Sequence, residues 1–156
     1  MKILLVGPRK CGKSTLANVL GELQTTNEVT APYFPTLGAR IVEAQIGTQS
    51  VEFWEISGDL NFKQYWGVLA EKANGTIFVF SDSNDLNAFL HNVFPQKNAL
   101  FVQTCTRGTT PSPPPAGFTP VRIYDDDILA FKAVVHQWVR NYYLRTSNFS
   151  CLWYTQ

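Results

Sequence analysis

The sequence predicts an α/β fold, a mostly parallel sheet of about five or six strands with helices on both faces. Three observations carry that prediction. Short apolar runs alternate along the chain with segments of helical composition. The first run, Lys2 to Val6, is apolar almost throughout, as a strand covered on both faces must be. It ends at Gly7-Pro8, and a helical stretch follows, the strand–loop–helix order from which parallel sheets are built.

Taken in order, Lys13 to Leu23 sets Leu16, Val19, Leu20 and Leu23 on one helical stripe. Thr25 to Gly38 is polar, holds Pro32 and Pro35, and reads as a loop. Arg40 to Ile46 and Val51 to Ile56 read as strands joined at Gly47-Thr48-Gln49, a hairpin. Leu60 to Ala73 reads as helix, Thr76 to Phe80 as a buried strand, Asp85 to Phe94 as a short helix and Ala99 to Thr104 as a strand. Arg107 to Pro120 holds five of the chain's nine prolines and is an extended loop. After a last strand, Val121 to Tyr124, the acids Asp125-Asp126-Asp127 are expected to cap a helix reaching about Tyr143. One domain over residues 1–146 and a tail over 147–156 are expected.

Composition excludes several classes. With 156 residues, 45% of them apolar and 16% charged, the chain can bury one core and is not of the disordered kind. A net charge of +1 predicts no affinity for nucleic acid. No apolar run approaches the roughly 18 residues of a membrane span. The first residues do not read as a signal peptide, and neither a prenylation box nor a myristoylation glycine is present, so no direct membrane anchor is expected. Cys11, Cys105 and Cys151 are odd in number and widely spaced, which suits reduced thiols in the cytoplasm. The sequons at Asn74 and Asn148 then read as chance matches. His91 and His136 have no partners at metal-ligand spacing and read as packing or surface residues.

The strongest motif is Gly7-Pro8-Arg9-Lys10-Cys11-Gly12-Lys13-Ser14, followed by Thr15. It matches G-x-x-x-x-G-K-[ST] in full, between a strand and a helix, which makes the fold a P-loop NTPase. Backbone N–H groups of such a loop cradle a β-phosphate, and the helix dipole adds positive potential. Lys13 would bridge the β- and γ-phosphates, and Ser14 would give its hydroxyl to Mg²⁺. Arg9, inside the loop, reads as an obstruction to an incoming arginine rather than a catalyst.

Two later segments narrow the class. Pro35-Thr36-Leu37-Gly38 resembles the first switch of small Rab-type GTPases, where a threonine caps Mg²⁺ and senses the γ-phosphate. Trp54-Glu55-Ile56-Ser57-Gly58-Asp59 resembles the second switch, usually W-D-x-x-G-Q. With Gly7-Pro8, Pro35 to Ile41, Gly58-Asp59 and Asn74 to Phe80, the chain resembles the Rab-like GTPases of intraflagellar transport. The resemblance implies GTP or GDP with Mg²⁺ as cofactors, coiled-coil subunits of the intraflagellar transport B complex as partners, and a place in the cilium or flagellum and at its base.

The departures from that pattern shape the expected activity. Asp59 stands where a glutamine orients the attacking water, and an anion there would repel the γ-phosphate. Glu55 stands where an aspartate usually holds Mg²⁺ through water. The guanine-reading N-K-x-D is absent, with Cys105-Thr106-Arg107-Gly108 in its place, so base choice is expected to relax toward ATP. The function expected is a nucleotide-binding adaptor with little or no hydrolysis. Its partner surface is expected over Thr36 to Arg40 and Gly58 to Trp66, with Phe62, Tyr65 and Trp66 as aromatic anchors. A cycling GTPase, a small P-loop kinase and a nucleotide-free scaffold remain the rival readings.

Overall fold

The computed structural model describes residues 1–29, 32–91, 94–95 and 97–150. Its six-stranded sheet runs β2-β3-β1-β4-β5-β6. The strands are β1 (Lys2–Val6), β2 (Ala39–Ile46), β3 (Gln49–Ile56), β4 (Gly75–Phe80), β5 (Ala99–Cys105) and β6 (Val121–Tyr124). Among the described residues only the β2–β3 pair is antiparallel; every other pairing is parallel. The mostly parallel sheet expected from the sequence is therefore present.

The helices are α1 (Lys13–Leu20), α2 (Trp66–Ala70), α3 (Ser83–Leu90) and α4 (Ala130–Ser150). Strand alternation divides the core between the two faces. Ile3, Leu5, Phe53, Ile77 and Val79 meet Leu16 and Leu20 of α1 and Phe131, Val135 and Val139 of α4. Leu4, Val6, Ile56, Phe78 and Phe80 meet Trp66 of α2 and Leu86 and Phe89 of α3. Both faces of β1 and β4 are thus covered, which is why these strands read as unbroken apolar runs.

Three elements differ from the sequence expectation. The stretch expected as one helix from Leu60 to Ala73 is a 3₁₀ run, Leu60–Tyr65, and then the short α2. None of Leu60 to Tyr65 is buried, so no core contact supports a regular α-turn until Trp66 enters the interior. The acids Asp125 to Asp127 do not cap the last helix, which begins at Ala130. Asp125 Oδ1 instead accepts from the Arg107 N–H at 3.0 Å, and Asp126 holds the Arg107 guanidinium by two bonds of 2.8 and 2.9 Å. Finally, α4 continues to Ser150, past the expected end near Tyr143 and across the expected domain limit at 146. Residues 30–31, 92–93 and 96, and the tail from 151, with Cys151, lie outside the described residues.

The Pro-rich loop is tied down rather than free. Gln103 Nε2 donates to the Ser112 carbonyl at 2.9 Å, and the Ser83 hydroxyl donates to the carbonyl of Pro113. No described helix is long and apolar enough to cross a membrane.

Candidate functional site

The glycine-rich loop turns directly from β1 into α1. Gly7 sits so close to β4 that a Cβ would lie 1.9 Å from the Val79 carbonyl oxygen, so no side chain fits there. Cys11 is buried, and its thiol donates to that same Val79 carbonyl at 3.2 Å. Burial pushes its pKa up against the opposing pull of Lys13, so it remains a thiol and a packing group. The Thr104 hydroxyl, from β5, donates to the Cys11 carbonyl at 3.1 Å. The loop is therefore pinned by β4 and β5 before any ligand arrives.

Lys13 is 5% exposed, and its ammonium donates to the carbonyls of Gly7 at 2.9 Å and Pro8 at 2.6 Å. Beside it, three oxygens converge. Ser14 Oγ donates to Glu55 Oε1 at 2.5 Å, Thr36 Oγ1 donates to the same oxygen at 2.9 Å, and the two hydroxyls are 3.4 Å apart. Glu55 ends β3 and is 1% exposed. Its other oxygen accepts from Arg40 Nε at 2.9 Å, and Arg40 Nη1 and Nη2 donate to Asn18 Oδ1 and to the Ser14 carbonyl. This set of hard oxygens, one carboxylate and two hydroxyls facing a common point, fits Mg²⁺, which takes few protein ligands and completes its shell with phosphate and water. Glu55, although longer than the aspartate usual there, reaches both hydroxyls.

Gly58 follows in close contact with the loop. A Cβ on it would lie 2.6 Å from the Arg9 nitrogen and from the Pro8 carbonyl carbon. Asp59 Oδ1 accepts from the Asn61 N–H at 3.0 Å, and its Oδ2 pairs with Arg9 Nη1 at 3.5 Å. The resulting cavity, about 410 Å³, has walls that include all of the expected site residues except Gly7, Pro8, Cys11 and Asp59. Gly7 and Pro8 contribute the carbonyls that Lys13 holds, and Asp59 lies at the rim on Arg9.

A sequence profile of the ADP-ribosylation factor family (Arf) matches residues 1–95, more than half of the chain. The chain belongs to the ADP-ribosylation factor family. Among relatives of this Arf-family chain, the intraflagellar transport protein 22 homolog of Danio rerio is 41% identical over 90 residues, 52% of this chain and 47% of that protein. The intraflagellar transport protein 22 of Chlamydomonas reinhardtii is 33% identical over 114 residues, 67% of this chain and 58% of that protein. The chain spans about half the length of the curated relatives it matches. The GTP-bound T. brucei IFT22/74/81 crystal structure aligns with a TM-score of 0.64 and 26% identity, over 90% of this chain and 95% of that one. The small-GTPase fold and the resemblance to intraflagellar transport GTPases, both expected from the motifs, are borne out by these matches.

Two residues of this Arf-family chain take places other than the expected ones. Trp66 is not an exposed anchor: it is 1% exposed, with its ring 4.9 Å from Phe89 and 5.0 Å from Phe94. Arg40 is engaged with Glu55 and not a free surface charge. Arg40, Asn18 and Thr104 are site residues that motif reading missed. A signal for Arg40 was present, because a two-residue turn at Gly47-Thr48 sets Arg40 directly across from Glu55.

Proposed function

We propose that this Arf-family chain binds GTP with Mg²⁺ and serves as a nucleotide-held adaptor subunit of the intraflagellar transport B complex in the cilium or flagellum, with little or no hydrolysis. The observation that carries the reading is the convergence of Lys13, Ser14, Thr36 and Glu55 on one cavity formed by an intact P-loop. In this reading the backbone N–H groups of residues 9–15 hold the phosphates, with Lys13 already oriented by its bonds to Gly7 and Pro8. Ser14 and Thr36 supply hydroxyls to the metal, and Glu55 acts on it through water. The bound Mg²⁺ supplies charge neutralisation at the phosphates. Thr36 and Gly58 make the two switch segments sensitive to the γ-phosphate.

Slow hydrolysis is supported by the engagement of Asp59. Its two oxygens are given to Asn61 and Arg9, which leaves it badly disposed to orient a water, and its charge opposes the γ-phosphate. We expect turnover no faster than the roughly 10⁻⁴ s⁻¹ of unassisted Ras-like enzymes. The partners are read from the relatives' names and from the IFT22/74/81 neighbour. Exposed Phe34, Leu37, Leu60, Tyr65 and Val68, on and beside the two switch segments, supply an apolar surface suited to such subunits. Calorimetry with Mg²⁺·GTP on the purified chain, wild type against Lys13→Ala, tests the reading. Binding by the first and its loss in the second is the expected result; equal affinity in both overturns the assignment.

A further inference from the structure

A second cavity, about 250 Å³, lies on the other side of the phosphate loop. The two cavities share Lys10, Gly12 and Thr15 as walls, so a ligand whose phosphates occupy the first can extend over the start of α1 into the second. Ile123 and Ile128 give this second space apolar wall, as the faces of a flat heterocycle require, while Thr104 and Asp125 give it polar edge. Asp125 is the only carboxylate among its described lining residues.

The neighbouring acids are otherwise occupied. Asp126 is taken by the bidentate pair with Arg107, whose guanidinium also lies 4.2 Å from the centre of the Tyr124 ring. Asp127 has its N–H bonded to the Tyr124 carbonyl and does not line the cavity. Asp125 is fixed from both sides: its N–H donates to the Cys105 carbonyl at 3.0 Å, and its Oδ1 accepts from the Arg107 N–H at 3.0 Å. Among the described residues, its Oδ2 has no hydrogen-bond partner. The chain thus presents one oriented carboxylate edge where the base of a bound nucleotide would lie.

We infer that Asp125 is the specificity-determining residue of this site and selects guanine, taking the part of the missing N-K-x-D aspartate from the opposite loop. Its carboxylate accepts hydrogen bonds from the guanine N1–H and exocyclic amine. Adenine offers a lone pair and a C–H at those two positions, so it leaves the carboxylate unpaired. This inference rests on the nucleotide-binding reading above and narrows the base choice that the absent motif left open. A bidentate base contact is worth about five- to a hundredfold in discrimination, and the exposure of Asp125 places it within that range rather than above it.

The test exploits hydrogen-bond polarity. In Asp125→Asn the amide oxygen still accepts from N1–H, but its NH₂ now faces position 2 and requires a carbonyl there, as in xanthine. Dissociation constants for GTP, ATP and XTP, each with Mg²⁺, are to be measured on the wild type and on Asp125→Asn. The wild type is expected to prefer GTP over ATP by about tenfold or more. The variant is expected to lose GTP by about tenfold, gain XTP by a similar factor and keep its ATP affinity, which serves as the control for an intact site. A GTP-to-XTP ratio that moves by less than about threefold overturns the inference, as does equal weakening of all three nucleotides, the mark of a purely structural aspartate. Failure of the wild type to bind any triphosphate would instead overturn the nucleotide-binding reading itself.

Discussion

Removing Arg40 isolates the energetics of the cluster around Glu55. Glu55 is 1% exposed and Arg40's side chain 38% exposed, with Nε donating to one carboxylate oxygen at 2.9 Å and Nη2 lying 2.9 Å from the same oxygen. Exposed ion pairs contribute up to about 1 kcal/mol. Breaking a buried pair costs about 3–5 kcal/mol, because a charge is left in the interior without its partner. This pair lies between those limits, and Glu55 keeps the hydroxyl donors of Ser14 and Thr36 after the change. Arg40→Ala is therefore expected to cost about 2 kcal/mol. Urea unfolding of the nucleotide-free protein measures it, within a double-mutant cycle that includes Glu55→Gln and the double variant. Once the carboxylate is neutral, loss of Arg40 should cost much less than it does alone. A coupling below about 0.5 kcal/mol would refute the reasoning, since the guanidinium would then not be the counter-charge of Glu55.

Other consequences are equally direct. Gly58→Ala brings a methyl within 2.6 Å of the backbone of Pro8 and Arg9, so we expect a loss of about 2–3 kcal/mol and weakened triphosphate binding, read by thermal unfolding with and without nucleotide. His136 has a pKa below its ordinary 6.5, first from burial and then from the charges of Lys132 and Arg140, with Glu22 pulling the other way. Because the folded state resists the proton, stability is complete above about pH 6.5 and is lost as pH falls below it toward the lowered folded value. Chemical denaturation at stepped pH should show that slope, and His136→Gln should flatten it. If the proposed partners bind here, Leu37→Asp combined with Val68→Asp, at residues 78% and 69% exposed, should abolish their capture in pull-downs while leaving GTP affinity within about twofold; unaffected capture would move the interface elsewhere.

The fold was legible because its central strands are covered on both faces. Ile3 to Val6 and Ile77 to Phe80 can be nothing but interior, and their alternation assigns each residue to a helix layer. The phosphate loop was legible because close backbone approach restricts Gly7 to glycine, a constraint visible at single-residue level. The segment after Gly58 was not legible as structure: Leu60 to Tyr65 reads as the start of a helix, and its failure to form an α-helix depends on its having no neighbour to bury against. Trp66 and Asp125 misled for related reasons. An aromatic beside a switch and an acid ahead of a helix each have a common local role, and only the tertiary neighbours, Phe89 and Phe94 for one and Arg107 for the other, decide against it. Arg40 depended on hairpin register, which the Gly47-Thr48 turn fixes but which motif reading passes over.

The pairing of β1 has a consequence for the order in which the molecule is made. Lys2 to Leu5 pair with Glu52 to Glu55 on one side, and Ile3 to Val6 with Gly75 to Phe78 on the other. The loop that follows takes its shape from Gly58, Val79 and Thr104. The residues of β1 are thus ordered by residues that leave the ribosome later. The β2–β3 hairpin, closed by a two-residue turn, is a local nucleus that can form before β4 emerges. Until β3 emerges, the nascent chain carries the apolar β1 segment without a strand partner, at the stage when such segments invite aggregation. Long-range strand pairing of this kind folds slowly, because loop closure has to precede any reward from contacts. A ligand that needs the finished loop cannot assist the early steps and acts only as a final trap that holds the assembled sheet.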